Sequence, residues 1–406
     1  MERADVIILG GGLVGLSLAL ALDRHGLTTI VVDPADPATQ IAPSYDGRAT
    51  AVSSASWRML EAIGVAERLA GETSPIRAIR VSDGLRPGGI LFDPGKDDDP
   101  LGIMVENRLL RAALRESTLA AERITLLMPA RPVETVRDAT GVRVRLDDGR
   151  EVAAPLLVAA EGRNSPTREA AGLAMARWSY DHVAIVATIT HEQPHGETAY
   201  EIFYPDGPFA LLPMRSDAEG RHRSAIVWSV KARDAAGMLG LPEHALAHEI
   251  AKRMGGFLGE VALAGPRWNY PLGFHHCARI TGERLALAGD AAHGIHPIAG
   301  QGLNLGFRDA AALAEVLVCG ARLGLDLGDA QLLDRYERWR SLDTFMVAMA
   351  TDSLTRLYGV PGRTASAVRR FGMGLVQRIG PVKERLMAEA RGETGELPLL
   401  LRGLPI

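Results

Sequence analysis

The chain has 406 residues, of which 47% are hydrophobic and 23% charged, a globular composition that excludes disordered and fibrous classes and has room for roughly two to three domains. Its 45 basic and 49 acidic side chains leave a formal charge of −4, which supplies no basic footprint for nucleic acid. Two cysteines, Cys277 and Cys319, fall in no paired or metal-ligand spacing, no run reaches the roughly 18 apolar residues of a membrane span, and glycines interrupt the apolar N-terminus where a signal peptide would need a cleavage site. A cytoplasmic protein is expected, one that at most lies against a membrane.

Val6 to Leu9 reads as a buried strand, followed by Gly10-Gly11-Gly12-Leu13-Val14-Gly15, a helix from Leu16 to His25 closed by Gly26, and a second strand from Thr28 to Val32 that ends on Asp33. Strand, GxGxxG, helix, strand and acid in this order complete the context of a dinucleotide fold. Gly10 serves the turn, Gly12 lets a pyrophosphate approach, Gly15 lets the helix pack, and Asp33 accepts from ribose hydroxyls. A polar loop from Pro34 to Ser44 leads to Asp46-Gly47-Arg48. As a single residue Arg48 reads as a surface cation, whereas beside a pyrophosphate it would fork onto the oxygens. Thr50 to Ile63 is expected as a helix ending at Gly64.

Arg77 to Val105 holds short alternating segments with Gly and Pro, the pattern of strands and turns in a second sheet. Asn107 to Ala121 returns to helical periodicity. Val142 to Val152 is a hairpin turning at Asp148-Gly149, and Leu156 to Ala160 is another buried parallel strand, followed by Glu161-Gly162-Arg163 and by Ser165 as a helix N-cap. From His182 to Pro271 strand patterns dominate, interrupted by a helix from Glu243 to Met254; Tyr200, Phe203, Phe209, Met214 and Trp228 there are core or pocket lining.

The parallel-strand pattern resumes at Leu285 to Ala288, so the strand-rich region reads as an insertion into a nucleotide-binding domain. Gly289-Asp290 ends that strand, placing a carboxylate at the sheet edge where α/β folds bind ligands. Gly300, Gly302 and Gly306, with Asn304 among them, open an apolar helix whose first amides can approach a ligand closely. After Ala310 the chain is mainly helical, with breaks at Pro361-Gly362 and Gly380-Pro381. The histidines show no convincing metal-ligand spacing, so no metal is expected. One fingerprint, a second ligand-contact strand near residue 290 and an inserted sheet between them point to one extended cofactor, FAD rather than NAD.

These motifs, together with Val105-Glu106-Asn107, Gly207-Pro208-Phe209-Ala210-Leu211-Leu212-Pro213 and the run from Gly289-Asp290-Ala291-Ala292-His293 through His296-Pro297-Ile298-Ala299-Gly300-Gln301-Gly302-Leu303-Asn304, resemble the single-component FAD-dependent aromatic hydroxylases over nearly the whole chain, in particular the branch that hydroxylates ubiquinone precursors. The resemblance implies an α/β fold like that of p-hydroxybenzoate hydroxylase, with a Rossmann-like FAD-binding domain, an inserted mixed β-sheet substrate domain and a helical C-terminal part. The expected division is residues 1–71, 106–175 and 276–320 for the first, 72–105 and 176–275 for the second, and 321–406 for the third.

It further implies that Gly12, Asp33 and Arg48 bind the ADP half, that Asp290 holds the ribityl or ribose part, that Gly300, Gly302, Leu303 and Asn304 border the isoalloxazine, and that Gly10, Gly15, Asn107 and Glu161 also belong to the cofactor site. Pro297 and Gly300 then form the environment of the reactive edge. Glu161 stands where the family has Asp, in a motif tied to FAD and NADPH contacts. NAD(P)H would reduce FAD, O2 would form a flavin hydroperoxide, and the ring of a polyprenylated phenol would be hydroxylated in ubiquinone biosynthesis; no general base can be named. The alternatives are a hydroxylase of a small soluble aromatic or specialised metabolite, and a flavin-binding scaffold among other quinone-biosynthesis proteins. Peripheral membrane contact is expected through apolar Phe371, Met373, Leu375 and Val376 beside basic Arg369, Arg370, Arg378, Lys383 and Arg385.

Overall fold

The computed structural model describes residues 1–42, 46–95, 98–295, 300–359 and 363–406, and for 354–359, 363–368, 370 and 371 the backbone alone. Pro297 and the side chains of Arg370 and Phe371 therefore lie outside the described residues. At the centre is a six-stranded sheet in the order Thr281–Gly282, Leu285–Leu287, Leu156–Ala159, Val6–Leu9, Thr29–Val32, Ile124–Leu127, parallel except at its first pair. Its inner strands, VIIL, TIVV and LLVA, are buried at every position and apolar at all but Thr29, as strands covered on both faces must largely be.

The first helix, Leu13–Asp23, starts directly after Gly12, three residues earlier than its apolar pattern predicts, so the glycine turn feeds its amides into the first helical turn. It packs on Gln301–Arg322 and on Asn107–Leu119. The approach to Gln301–Arg322 is close enough to demand glycine: a Cβ at Gly306 would stand 2.6 Å from Val14 Cγ2 and 3.4 Å from Gly289 Cα. Gly289 itself has φ +62°, a left-handed conformation that ends the strand before it.

The expected helix from Thr50 to Ile63 is corrected to a strand and a helix. Ala49–Ser53 pairs antiparallel with Gly102–Glu106, and the helix is Ser54–Ala62 with Ser53 as its N-cap, accepting from Ser56 N at 3.3 Å. Thr50 and Val52 are β-branched, and the partner strand, not local helix periodicity, decides their conformation.

An eight-stranded mixed sheet is assembled from Ala78–Asp83, Ile90–Phe92 and six strands between Met175 and Gly294. Two 17-residue strands, Met175–His191 and Val261–Cys277, pair antiparallel along it, and the far end of Val261–Cys277 pairs with His293–Gly294 directly after the Gly289-Asp290 turn. One face of this sheet, with Ile185, Phe209, Ile226 and Trp228, is covered by the helices Ala232–Leu239 and Glu243–Met254. Phe209 and Trp228 are thus core. The other face, with Ala199, Leu212, Met214 and Ala225, packs with Ala49 and Ala51 and with Met373 of the helix Arg363–Arg378.

That packing corrects the expected membrane face. Met373 and Arg369 are buried, Val376 packs into the same cluster, and Arg369 pairs with Asp83. Among the described residues, the exposed large apolar side chains of the C-terminal helices are Leu342, Phe345, Met346 and Met349, and separately Leu375, Ile379, Val382 and Leu386, each set at three- and four-residue spacing. Among the described residues no helix is long and apolar enough to cross a membrane.

A buried carboxylate holds the two halves of the nucleotide region to the C-terminal helix. Asp309 Oδ2 accepts from Gly289 N at 2.9 Å and from His293 Nε2 at 2.6 Å, while Oδ1 accepts from Arg340 Nε at 2.8 Å. Burial alone would raise its pKa, but the charges and hydrogen bonds of His293 and Arg340 outweigh that and hold it at about 2. A carboxylate depressed in the folded state contributes stability that is complete above the unfolded value of about 3.9 and is lost as pH falls towards the folded value. Replacing Arg340 by leucine strands this carboxylate with one charge fewer. The expected loss is about 3–5 kcal/mol in urea unfolding, with the acid transition moved to higher pH; a variant of wild-type stability would rule out this role for the pair.

Candidate cofactor and substrate site

The glycines of the N-terminal turn divide by what surrounds them. A Cβ at Gly10 (φ +111°) would lie 2.3 Å from Ala160 O, and one at Gly15 would lie 2.0 Å from Gly10 O, so both are required by the fold itself. At Gly12 and at Gly302 an added Cβ meets nothing within 4 Å. Gly12 has φ −81°, open to any residue. Its side is clear of protein, the cradle that a pyrophosphate against a helix start needs.

Asp33 Oδ2 accepts from Gly11 N and its Oδ1 from Ala35 N, both at 2.7 Å. The carboxylate thereby pins the turn, and its remaining lone pairs can serve a ribose hydroxyl. Glu161 behaves differently. Its Oε2 accepts from Ser165 Oγ at 2.5 Å and from Thr167 N at 3.2 Å, so the longer side chain caps the short helix Pro166–Ala170. Nearby Arg168, buried, donates from Nη1 to Arg163 O at 2.9 Å and to Ala291 O at 3.1 Å, tying this segment to the Gly289-Asp290 turn.

Arg48 is no solitary surface cation. It forks onto Asp46 through Nε (2.9 Å) and Nη2 (2.8 Å), and its guanidinium lies 5.0 Å from the centre of the Tyr270 ring. Burial would lower the Arg48 pKa, but Asp46, then Tyr270 and Asp290, raise it. Burial would likewise raise Asp46, but Arg48 and Arg111 hold it down at about 2. The Gly47 backbone is pressed on Trp268, where a Cβ would stand 1.8 Å from Cζ3. The sequence reading missed Asp46, Arg111, Trp268 and Tyr270 as parts of one unit. Alternation put Trp268 and Tyr270 on one strand face, but nothing in local pattern joins that face to residues 46–48.

The strand Ala49–Ser53 is gripped at both ends. Asn107 Oδ1 accepts from Thr50 Oγ1 at 2.6 Å, and Asn107 N donates to Arg48 O at 3.0 Å. Asn304 Oδ1 accepts from Ser53 N at 2.9 Å, while its Nδ2 donates to Ala51 O at 2.9 Å and to Gly300 O at 3.3 Å. Gly300, with φ +64°, is the N-cap of Gln301–Arg322 and lies against Ala51. Leu303 is half-buried in the first turn of that helix. Asp290 is exposed just past the strand Leu285–Leu287, its carbonyl accepting from His275 Nε2 at 2.8 Å. Gly10, Gly12, Asp33, Asp290 and Gly302 are thus gathered on the two glycine-led helix starts that cross at Val14, with Arg48 coupled electrostatically to Asp290. Among the described residues no group of three metal-ligating side chains occurs.

The FAD binding domain family matches residues 3–349. The chain is 44% identical to the ubiquinone hydroxylase UbiL of Rhodospirillum rubrum, over 99% of this chain and 94% of that one. It is 32% identical to the 3-demethoxyubiquinol 3-hydroxylase of Escherichia coli, over 96% and 99% respectively. Among solved structures, p-nitrophenol 4-monooxygenase PnpA of Pseudomonas putida superposes with a TM-score of 0.79 at 18% identity, covering 98% of this chain and 100% of that one, a likeness of fold. FAD is the cofactor and the protein is an aromatic-ring monooxygenase. The chain belongs to the FAD binding domain family of FAD-dependent aromatic hydroxylases, in the branch that includes the ubiquinone hydroxylases.

Proposed function

We propose that this protein hydroxylates the ring of a polyprenylated phenol in ubiquinone biosynthesis, with NAD(P)H and O2 as co-substrates, working in the cytoplasm at a membrane surface. The observation that carries this reading is 44% identity along 99% of the chain to a ubiquinone hydroxylase. It is supported by the three-part division expected from the sequence: an FAD-binding domain, an inserted sheet domain for the substrate and a C-terminal helical region.

Bound FAD supplies the electron transfer from NAD(P)H and the delivery of an oxygen atom to the ring. The residues of this chain position and insulate that chemistry. In our reading Gly12 and the first amides of Leu13–Asp23 receive the pyrophosphate, with Gly10 and Gly15 shaping the turn; Asp33 takes the adenosine ribose, and Arg48, oriented by Asp46, neutralises phosphate charge. Asp290 takes a hydroxyl of the sugar or ribityl chain, and Gly302 with Leu303 admits the ring edge. Asn107, Glu161 and Asn304 act by fixing backbone. Gly300, with Pro297 beside it in sequence, borders the reactive edge, and the apolar inner face of the large sheet keeps water from the ring.

A polyprenyl tail is nearly insoluble in water, so the substrate must be presented from a bilayer or by a carrier protein, and our reading takes the bilayer. The exposed stripe Leu342, Phe345, Met346 and Met349 suits that delivery, because Phe345 lies 6.0 Å from the ring of His276, and His276 pairs with His293 beside the Asp290 turn. Exposed Arg378 and Arg385, with half-buried Lys383, lie among Leu375, Ile379, Val382 and Leu386 and complement an anionic leaflet.

Incubation of the purified protein with NADPH, air and a short-chain prenylated phenol is expected to add one oxygen atom to the ring by mass spectrometry; NADPH oxidation without hydroxylated product would refute the reading. Gly12→Val is expected to fold as wild type, since its side chain meets no protein, yet to lose the yellow FAD spectrum. Full FAD occupancy in that variant would return Gly12 to an ordinary turn. Asp290→Ala should weaken FAD in equilibrium dialysis by about 1–3 kcal/mol. At the membrane side, the protein should sediment with anionic liposomes at low salt and the double variant Leu342→Glu, Met346→Glu should not; equal sedimentation of the two would remove the stripe from the account.

A further inference from the structure

A phenol hydroxylase needs a group that takes the proton from the ring hydroxyl, because its loss pushes electron density onto the carbon to be oxygenated. Glu201 stands in a place suited to that task. It lies in the strand Thr198–Tyr204, in a cross-strand row that runs Val81, Glu201, Ala210, Val227, Val186, Trp268. Residues paired across a ladder share a face, and the alternate residues Ile202, Phe209, Trp228 and Ile185 are those under the covering helices. Glu201 is therefore on the inner face, the one turned to the cofactor region. Trp268 at the end of the row lies against Gly47, and Ala199 and Leu212 of the adjacent row belong to the same apolar cluster as Ala51, which lies against Gly300.

Every other member of the Glu201 row is apolar. Of the charged groups elsewhere on this face, Asp83 pairs with Arg369 at 3.3 Å and Arg223 with Glu106 at 3.1 Å, Lys231 stands at the far strand end opposite His182, and Arg48, against Tyr270, pairs with Asp46 at 2.8 Å. Glu201 differs. It is half-buried, deep in the fold yet not sealed, and burial is the sole influence on its carboxyl, with no hydrogen bond or charge among the described residues acting on it; burial pushes it up to about 8. Interior carboxyls are ordinarily paired or hydrogen-bonded, so one left among apolar row neighbours is free to meet a partner that is not protein.

We propose that Glu201 is the base of the reaction, its carboxylate contacting the phenolic hydroxyl of the substrate and taking its proton. The phenolic O–H bond breaks, its electron pair stays on oxygen and spreads into the ring, and a new O–H bond forms on Glu201; the transfer needs no further reactant. This assignment rests on the phenol reading above. It also accounts for pH: a base with a pKa raised to about 8 is ionised above that value, so activity should rise as pH passes through it.

The test uses the oxidised, FAD-loaded protein and a short-chain prenylated phenol, following the red-shifted absorption of phenolate against pH without turnover. In the wild type the bound phenol should complete its ionisation at higher pH than in free solution, because the pair loses its first proton from the Glu201 carboxyl and that charge opposes a second anion beside it. In Glu201→Gln, with FAD content and melting temperature unchanged, the phenol should still bind but ionise as it does free, and Glu201→Asp should restore part of the shift. In turnover Glu201→Gln should lower kcat by roughly 10²-fold or more, with KM nearly constant and the rising limb of the pH profile lost. Identical phenolate titrations in wild type and Glu201→Gln would overturn the assignment alone. A wild-type protein that binds no prenylated phenol would overturn the phenol reading and the assignment with it.

Discussion

The close approach of the Gly289 and Gly306 backbones to each other and to the Val14 side chain is the constraint from which the rest of the molecule follows. Side chains keep most helices several ångströms apart, and a Cβ at Gly306 would be only 2.6 Å from Val14. Glycine removes that obstacle, so two helix starts from opposite ends of the chain come side by side. Each has unsatisfied amides and the positive end of a helix dipole. Placed together, they make one elongated region suited to an anionic, extended cofactor, which neither offers alone. The Asp309 carboxylate fixes the arrangement by accepting from Gly289 N while drawing in His293 and Arg340.

The inserted sheet gains its position from the same region. Met175–His191 and Val261–Cys277 are long enough to run out of the nucleotide-binding part, form the middle of the large sheet, and return to pair with His293–Gly294. Strand pairing is stiff along its length, so Trp268 and Tyr270, midway along, are carried to the Asp46-Gly47-Arg48 turn. The ion pair there is costly to bury unless every charge has a partner. Asp46 meets two arginines, and the excess cation faces outwards, half-exposed on Arg48. Charge surplus of this kind attracts phosphate.

Much of this was legible in the residues because the local rules agree with the global result. Short uninterrupted apolar runs such as VIIL and LLVA, stopped by turn residues, fit strands buried on both faces, and glycine spacing marks where backbones or ligands come close. The misreading of Thr50 to Ile63 has the opposite cause. Residues 49–53 are a strand because Gly102–Glu106 pairs with them and because Asn107 and Asn304 hold their two ends, and no local pattern can announce partners that distant. The C-terminal helices fail for a related reason. Met373 and Arg369 lie on the same segment as exposed Leu375, and composition alone does not tell which side of a helix meets the sheet.

The polar groups of the site carry a more general point about motifs. Asn304, Asn107 and Glu161 stand in stretches that suggest ligand contact, yet their hydrogen bonds go to backbone or to a neighbouring hydroxyl. Asp33 holds the turn before it can hold a ribose. Residues of this kind act on a ligand at one remove, by holding amides and strand ends to within a few tenths of an ångström, and their loss would blur the site more than it would remove a contact. The carboxyls left over are then the informative ones. Asp290, exposed at a strand end, suits a hydroxyl of a bound cofactor. Glu201, on an apolar inner face, is costly to ionise, and a group held near its own pKa is the kind that exchanges a proton with what lies against it.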